Sequence, residues 1–297
     1  MEELLNKTGS GPKPEFLKSE TRRLPEVVKL RELLRSQNLH TVCEQANCPN
    51  LGRCFSKKIS TFMILGKVCT RSCAFCAVEK GKPAAPDPAE PEHLAQAAAA
   101  LGLAHVVITS VTRDDLPDGG ARQFYESVAA AKKMLPGSTV EVLTPDFMGD
   151  MRPVGIVLEA KPDVYNHNLE TAPSLYPRVR PGADYHRSLG LIEFVGKNAP
   201  SVITKSGIMA GMGETKEEII MVMKDLVSVG CRTLTIGQYL APSRRHWPVA
   251  KYYEPWEYEE FKEAGLEFGF DYVFAGPLVR SSFSAGEVFA RFKEKKL

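Results

Sequence analysis

No stretch of this 297-residue chain approaches the roughly 20 consecutive apolar residues that a membrane-spanning helix needs, so a bilayer-spanning role has no support. The first residues, Met-Glu-Glu-Leu-Leu, lack a basic stretch followed by an apolar one, and their acidity also argues against a transit peptide. Net charge is nearly absent at +2, which gives composition no case for a polyanion such as nucleic acid. No internal repeat and, outside the N-terminal arm, no low-complexity segment is evident. A disulfide framework is missing too, because the seven cysteines are odd in number and six of them fall into two local triplets. The expectation is a soluble cytoplasmic protein in a reducing compartment, without membrane or nucleic-acid partner.

What is present can fill a sizeable core: 43% of residues are hydrophobic, enough for one main domain with extensions. Residues 1–23 are polar, carry Gly9, Gly11, Pro12 and Pro14, and read as a surface arm. Apolar residues at near-helical spacing predict an amphipathic helix over 24–36. Beyond it, buried strands are expected over 59–65, 105–110, 139–143, 163–167, 201–205 and 233–239. Helices are expected over 121–135, up to 160, over 185–198 and over 214–229, with the Pro- and Ala-rich run 82–91 as a loop. Residues 254–269 read as helix, 271–275 as a short seventh strand, and 285–293 as a last helix. This alternation predicts an α/β fold of parallel βα units, either a barrel or a doubly wound sheet. In a βα barrel the site lies at the C-terminal strand ends, where Thr109, Ser110, Thr144, Asn166, His167, Lys205, Ser206 and Gln238 fall.

The chemistry concentrates in Cys69-Thr-Arg-Ser-Cys73-Ala-Phe-Cys76. Three thiolates on one tight loop can hold three irons of a cubane cluster and leave the fourth open for chemistry. Zinc competes, but structural zinc sites close four-coordinate and usually pair two such cysteine motifs. A second triplet, Cys43, Cys48 and Cys54, lies among the turn residues Pro49, Asn50 and Gly52. It reads as a second metal centre, with buried structural thiols as the alternative. Gly119-Gly120 reads as a turn before a helix, and Arg280-Ser281-Ser282 as a helix N-cap. Cys231 reads as a structural thiol, and His93 and His105 as surface or packing residues. Arg178 and Arg180 read as a solvated turn or as cations that steer an acidic carrier.

The loop 69–76, with Phe75 before its last cysteine, resembles the signature of the radical S-adenosylmethionine (SAM) superfamily. Together with Cys43-x4-Cys48-x5-Cys54, Asn166-His167-Asn168-Leu169-Glu170-Thr171, Gln238-Tyr239-Leu240, His246-x-Pro248-Val249 and Arg280-Ser281-Ser282, the chain is similar to the lipoyl synthase family over about residues 24–290. That resemblance implies a partial (β/α)6 barrel over 58–250, an N-terminal extension over 1–57 and a C-terminal extension over 251–297. It implies two four-iron clusters, one on Cys69, Cys73 and Cys76 that binds SAM, and an auxiliary one on Cys43, Cys48, Cys54 and Ser282, with Ser281 the nearest alternative. Phe283 stands where the family usually has tyrosine. Gly119, Gly120, Asn166 and Glu170 are the implied contacts to SAM or substrate.

The implied reaction cleaves SAM to a 5′-deoxyadenosyl radical and inserts sulfur from the auxiliary cluster at C6 and C8 of a protein-bound octanoyl chain. The implied partners are an octanoylated lipoyl carrier (the glycine-cleavage H protein or a dehydrogenase acyltransferase), an electron donor such as ferredoxin or flavodoxin, and an iron–sulfur carrier for cluster repair. Two alternatives remain at this point. One is another radical SAM enzyme, a methylthiotransferase or a biotin-synthase-like sulfur inserter, neither of which is expected to combine the upstream triplet with Arg-Ser-Ser. The other is a non-catalytic metal or cluster carrier, which has no use for polar groups at its strand ends.

Overall fold

The computed structural model describes residues 12–17, 25–45, 48, 50, 51, 54 and 60–282. Most of the N-terminal arm, Phe283 and the helix expected over 285–293 lie outside the described residues. Ten strands occur among the described residues: β1 His40–Thr41, β2 Thr61–Ile64, β3 Val68–Cys69, β4 Glu79–Lys80, β5 His105–Ser110, β6 Thr139–Leu143, β7 Val164–Asn166, β8 Ile203–Ala210, β9 Thr233–Gln238 and β10 Tyr272–Gly276. Eight of them form one sheet in the order β1-β2-β5-β6-β7-β8-β9-β10, and β3 pairs with β4 alone. Only β1 runs antiparallel to its neighbour; the other seven strands are parallel.

Parallel strands need crossovers, and each successive pair is joined through a helix: Glu90–Leu101, Ala121–Met134, Met151–Glu159, Tyr185–Asn198, Lys216–Ser228 and Pro255–Phe268. Strands β2 and β5 to β9 are buried along nearly their whole length, β9 at all six positions, because helices cover one face and the sheet's own interior covers the other, while the edge strand β10 is buried only at Val273. The first crossover helix corrects the expectation of a loop through residue 91. Pro91 falls in its first turn, where a missing N–H costs nothing, the Ala-rich run follows, and Gly102 in the left-handed region closes it. The expected seventh strand is β10, which pairs with β9 over all five residues. Strand β8 continues five residues past its expected end, through Gly207, because only a residue without Cβ fits against Asn168 Oδ1 and Thr235 Oγ1 there.

Side chains alternate along each strand, so Glu141, Asn166 and Lys205 point inward one layer below the strand ends. Lys205 Nζ donates to both Glu141 carboxylate oxygens at 2.9 and 3.0 Å, and the Asn166 amide donates to Oε1 at 3.0 Å. His105 Nε2 stands 3.5 Å from Oε2. Burial pushes the Glu141 carboxyl up, but Lys205 and His105 overcome it and hold the group down to about 2. This polar floor ties β5, β6, β7 and β8 together beneath the space that opens above it.

Candidate active site

The chain leaves β2 through Leu65 and Gly66, both in the left-handed region, and turns into the cysteine loop. Three neighbouring segments hold that loop by its backbone. Thr70 N–H and Oγ donate to Thr112 O, Ala74 N–H donates to Val179 O at 2.8 Å, and Ala74 O accepts from Trp247 N–H at 2.9 Å. So placed, Cys69, Cys73 and Cys76 border a cavity of about 190 Å³ at the C-terminal ends of β5, β6 and β7.

The opposite wall of this cavity is polar. Arg71, from within the cysteine loop, is clamped by Asp114 at 2.7 and 2.9 Å and by Asp146 at 2.6 Å. Burial pushes the Asp146 carboxyl up, but Arg71 outweighs it and the group stays below its ordinary value. Arg187 adds a second cation 3.2 Å from Asp146. His167 is buried and held neutral: burial first, then the Arg180 charge, lower it to about 4. Its Nδ1 lies 2.9 Å from Thr144 O, which assigns the proton to Nδ1 and leaves Nε2 as an acceptor with no protein partner. Arg180 is buried as well and donates to Asn168 O and Leu169 O, so it is neither a solvated turn nor a docking cation.

A second cavity, of about 500 Å³, adjoins the first. Cys43, Cys48, Cys54, Lys13, Arg280, Ser281 and Ser282 border it, and Phe75, Cys76, Val78, Asn168 and Glu170 border both. The two serines arrive there because the segment after β10 lies directly on β9. A Cβ at Gly237 would overlap the Val279 carbonyl, so the close approach requires glycine. Asn50, from the cysteine segment, donates to Leu278 O at 2.6 Å and latches the two extensions to each other.

Glu170 stands between the cavities at φ 67°, a strained conformation for a residue with a Cβ. Backbone bonds on both sides enforce it, Glu170 N–H to Gly207 O at 2.9 Å and Met209 N–H to Glu170 O at 2.8 Å. The carboxylate is enclosed by protein except where it faces the cavities. Burial therefore raises it, while Arg180 and the Asn168 amide, 3.1 Å away, pull the other way.

The donor set fits the clusters and SAM that the resemblance implies. None of the seven cysteines forms a disulfide. Burial pushes Cys43 up to about 12 and Cys76 up to about 11, so thiolates there need a cationic group to stabilise them. Among the described residues no three His, Cys, Asp or Glu side chains converge closely enough for a single ion; each triplet surrounds a space instead. In the first cavity Ser110 Oγ, His167 Nε2, Asn168 Oδ1 and Arg180 Nε are buried without protein partners, as a polar ligand with many hydrogen-bonding atoms requires.

Not every expected contact reaches these cavities. Asn166 lies one layer down, in the polar floor, and borders neither. Gly119 and Gly120 border neither; both are left-handed and pack so tightly on Phe147 and Leu65 that a Cβ would collide. Arg71, Asp146 and Arg187 were not singled out in the sequence, since no local spacing joins an arginine to a carboxylate 75 residues away.

Residues 63–226 match the model of the radical SAM superfamily. In fold, the chain is similar to methylornithine synthase (TM-score 0.53, 12% identity, 99% of this chain and 96% of that one). It is also similar to Streptococcus suis SuiB bound to S-adenosylmethionine (TM-score 0.54, 14% identity, 81% of this chain and 57% of that one). A parallel sheet with a three-cysteine loop at its strand ends is thus a radical SAM protein. Lipoyl synthase of Caldanaerobacter subterraneus subsp. tengcongensis is 56% identical over 92% of this chain and 95% of its own length. That of Rubrobacter xylanophilus is 50% identical over 94% and 87%. The chain belongs to the lipoyl synthase family.

Proposed function

We propose that the chain inserts two sulfur atoms, at C6 and C8, into an octanoyl group carried in amide linkage on a lysine of a carrier domain, giving the lipoyl group. The supporting observation is the shared wall: two thiol triplets border adjoining cavities, so a chain lying along Phe75, Asn168 and Glu170 is reached from both. Cys69, Cys73 and Cys76 hold one four-iron cluster; Cys43, Cys48 and Cys54, with Ser282 as fourth ligand and Ser281 beside it, hold the other. When bound, the clusters and SAM supply the reducing electron, the hydrogen-abstracting radical and the sulfur.

The protein's own residues position and protect. The unpartnered Ser110, His167, Asn168 and Arg180 atoms orient SAM, and Glu170 faces both SAM and substrate. Arg71, locked by two carboxylates, keeps the cysteine loop from shifting toward the mouth. Val78, Leu143 and Ile208 give the walls an apolar lining that excludes water from the reacting carbons. Gly119, Gly120 and Asn166 support this frame from outside the cavities.

The flanking stretches 1–57 and 251–297 bring the auxiliary-site residues Cys43, Cys48, Cys54 and Ser282 to the barrel of 58–250, which the helix Pro255–Phe268 and β10 extend. The carrier is the glycine-cleavage H protein or a dehydrogenase acyltransferase domain. A ferredoxin or flavodoxin supplies electrons, and an iron–sulfur carrier restores the consumed cluster. Among the described residues no helix is long and apolar enough to cross a membrane, and thiols held for clusters require a reducing compartment, taken here as the cytoplasm. The test is incubation of the reconstituted chain with SAM, dithionite and an octanoyl-lysine peptide. Mass spectrometry should show two sulfur atoms gained per peptide, and 5′-deoxyadenosine without any sulfur gain would refute the reading.

A further inference from the structure

The cysteine loop has an outer side that the proposed reaction does not use. Ala74, between Cys73 and Cys76, is bonded to Val179 on one flank and Trp247 on the other. Each of those segments raises exposed arginines: Arg178 on the first, Arg244 and Arg245 on the second. Neither 172–182 nor 240–251 contains an acidic residue, in a chain whose charge is otherwise balanced. Arg178 stacks over the Trp247 ring, 5.5 Å from its centroid. No ion pair engages Arg178, Arg244 or Arg245 among the described residues. Beneath the arginines lies a packed apolar layer of Val179, Met212 and Tyr239, against which Phe75 and Trp247 pack. Phe75 is also a wall of both cavities.

We propose that this arginine ridge is the docking surface for an acidic, low-potential one-electron carrier protein, and that the electron reaches the cysteine loop through the Trp247 and Phe75 layer. The inference rests on the function proposed above. An octanoyl chain needs an open passage, whereas Val179, Tyr239, Phe75 and Trp247 are packed between the arginines and the cysteine loop; an electron needs only proximity through packed protein. The bookkeeping is simple: the donor is oxidised by one electron, the iron–sulfur group on the loop gains it, and no proton or group moves with it. Unpaired cations on a ridge suit steering of an acidic partner, with an affinity that falls with salt.

The test compares the wild-type chain with R178E/R244E/R245E, both full length and reconstituted. The probe is an oxidised flavodoxin titrated at low and moderate ionic strength. Charge reversal should weaken flavodoxin binding at least about tenfold and flatten its salt dependence. Cleavage of SAM driven by dithionite, and binding of an octanoylated carrier domain, should stay at wild-type levels. Unchanged flavodoxin affinity overturns the proposal, as does weakened carrier binding with flavodoxin binding intact, which would make the ridge the carrier's surface. Where the reversed variant fails to fold, R178Q/R244Q/R245Q replaces it, with the same direction and a smaller change. A wild-type chain without dithionite-driven cleavage would refute the functional reading, while the affinity comparison would still decide the ridge.

Discussion

Replacing Lys205 by methionine removes the ammonium from the polar floor and leaves the Glu141 carboxylate in place, in a site where both side chains are 1% exposed. Breaking a buried ion pair by deleting one partner costs about 3–5 kcal/mol. The lower end applies here, about 3 kcal/mol, because the Asn166 amide and His105 still face the carboxylate. For a chain of this size that corresponds to a melting temperature lower by roughly 5 °C. The assay is thermal unfolding followed by circular dichroism on wild type, Lys205→Met, and the double variant Glu141→Leu with Lys205→Met. The double variant should regain most of the loss, short of about 1 kcal/mol for the Asn166 amide that loses its acceptor.

The pH dependence carries a second signature of the same pair. In the wild type the Glu141 pKa is depressed from 4.5 to about 2, so its stabilisation is complete above the ordinary carboxylate range and disappears as pH falls through about 2. Without Lys205 burial dominates and the pKa rises, so the variant gains stability as the carboxyl takes up a proton. The deficit should therefore be widest near neutral pH and narrow toward acid. A loss under about 1 kcal/mol, or a deficit that stays constant from about pH 7 to about pH 4, would refute the argument.

Cys73→Ala should abolish SAM cleavage while the absorption of the auxiliary cluster persists; wild-type yields of 5′-deoxyadenosine would remove the loop assignment. Gly237→Ala should push the Val279 carbonyl off β9 and unseat the serine segment, lowering iron from about eight to about four per chain with SAM cleavage retained. Full iron content in that variant would mean the segment adjusts without consequence. Ser282→Ala should block sulfur insertion and alter the spectrum of one cluster only, while Ser281→Ala stays active. If instead Ser282 only caps a helix, its variant loses about 1 kcal/mol of stability and keeps its activity.

The frame of the barrel was legible in the sequence because parallel strands buried on both faces write themselves as short apolar runs, and His105–Ser110 and Thr139–Leu143 stand where those runs end. The departures from expectation have local causes. Pro91 looked like a loop residue because a proline in a first helical turn and a proline in a loop are the same letter. Asn166, expected at SAM or substrate, lies in the floor, whereas the residue two positions on, Asn168, borders the cavities; one step of the pleat alternation, roughly 7 Å, separates floor from mouth, and residue type carries no depth. Gly119 and Gly120, the turn that the resemblance also sets against SAM or substrate, need glycine because of Phe147 and Leu65, which only the folded chain brings there. Both cysteine triplets were plain from spacing. That their cavities share a wall was not, because it depends on the 228-residue span between Asn50 and Leu278.

That span also sets an order of manufacture. The smaller cavity is bordered by residues before position 184 and held by bonds that reach as far as Trp247, whereas the larger one needs Arg280, Ser281 and Ser282. A ribosome adding about 5–20 residues per second takes roughly 2–7 s to cover the intervening stretch of about 30 residues. During that interval the nascent chain presents its upstream triplet without the serine segment that latches over it. The two metal centres are therefore unequal in birth: the smaller pocket has its full frame once Trp247 is in place, and the larger one waits for Ser282.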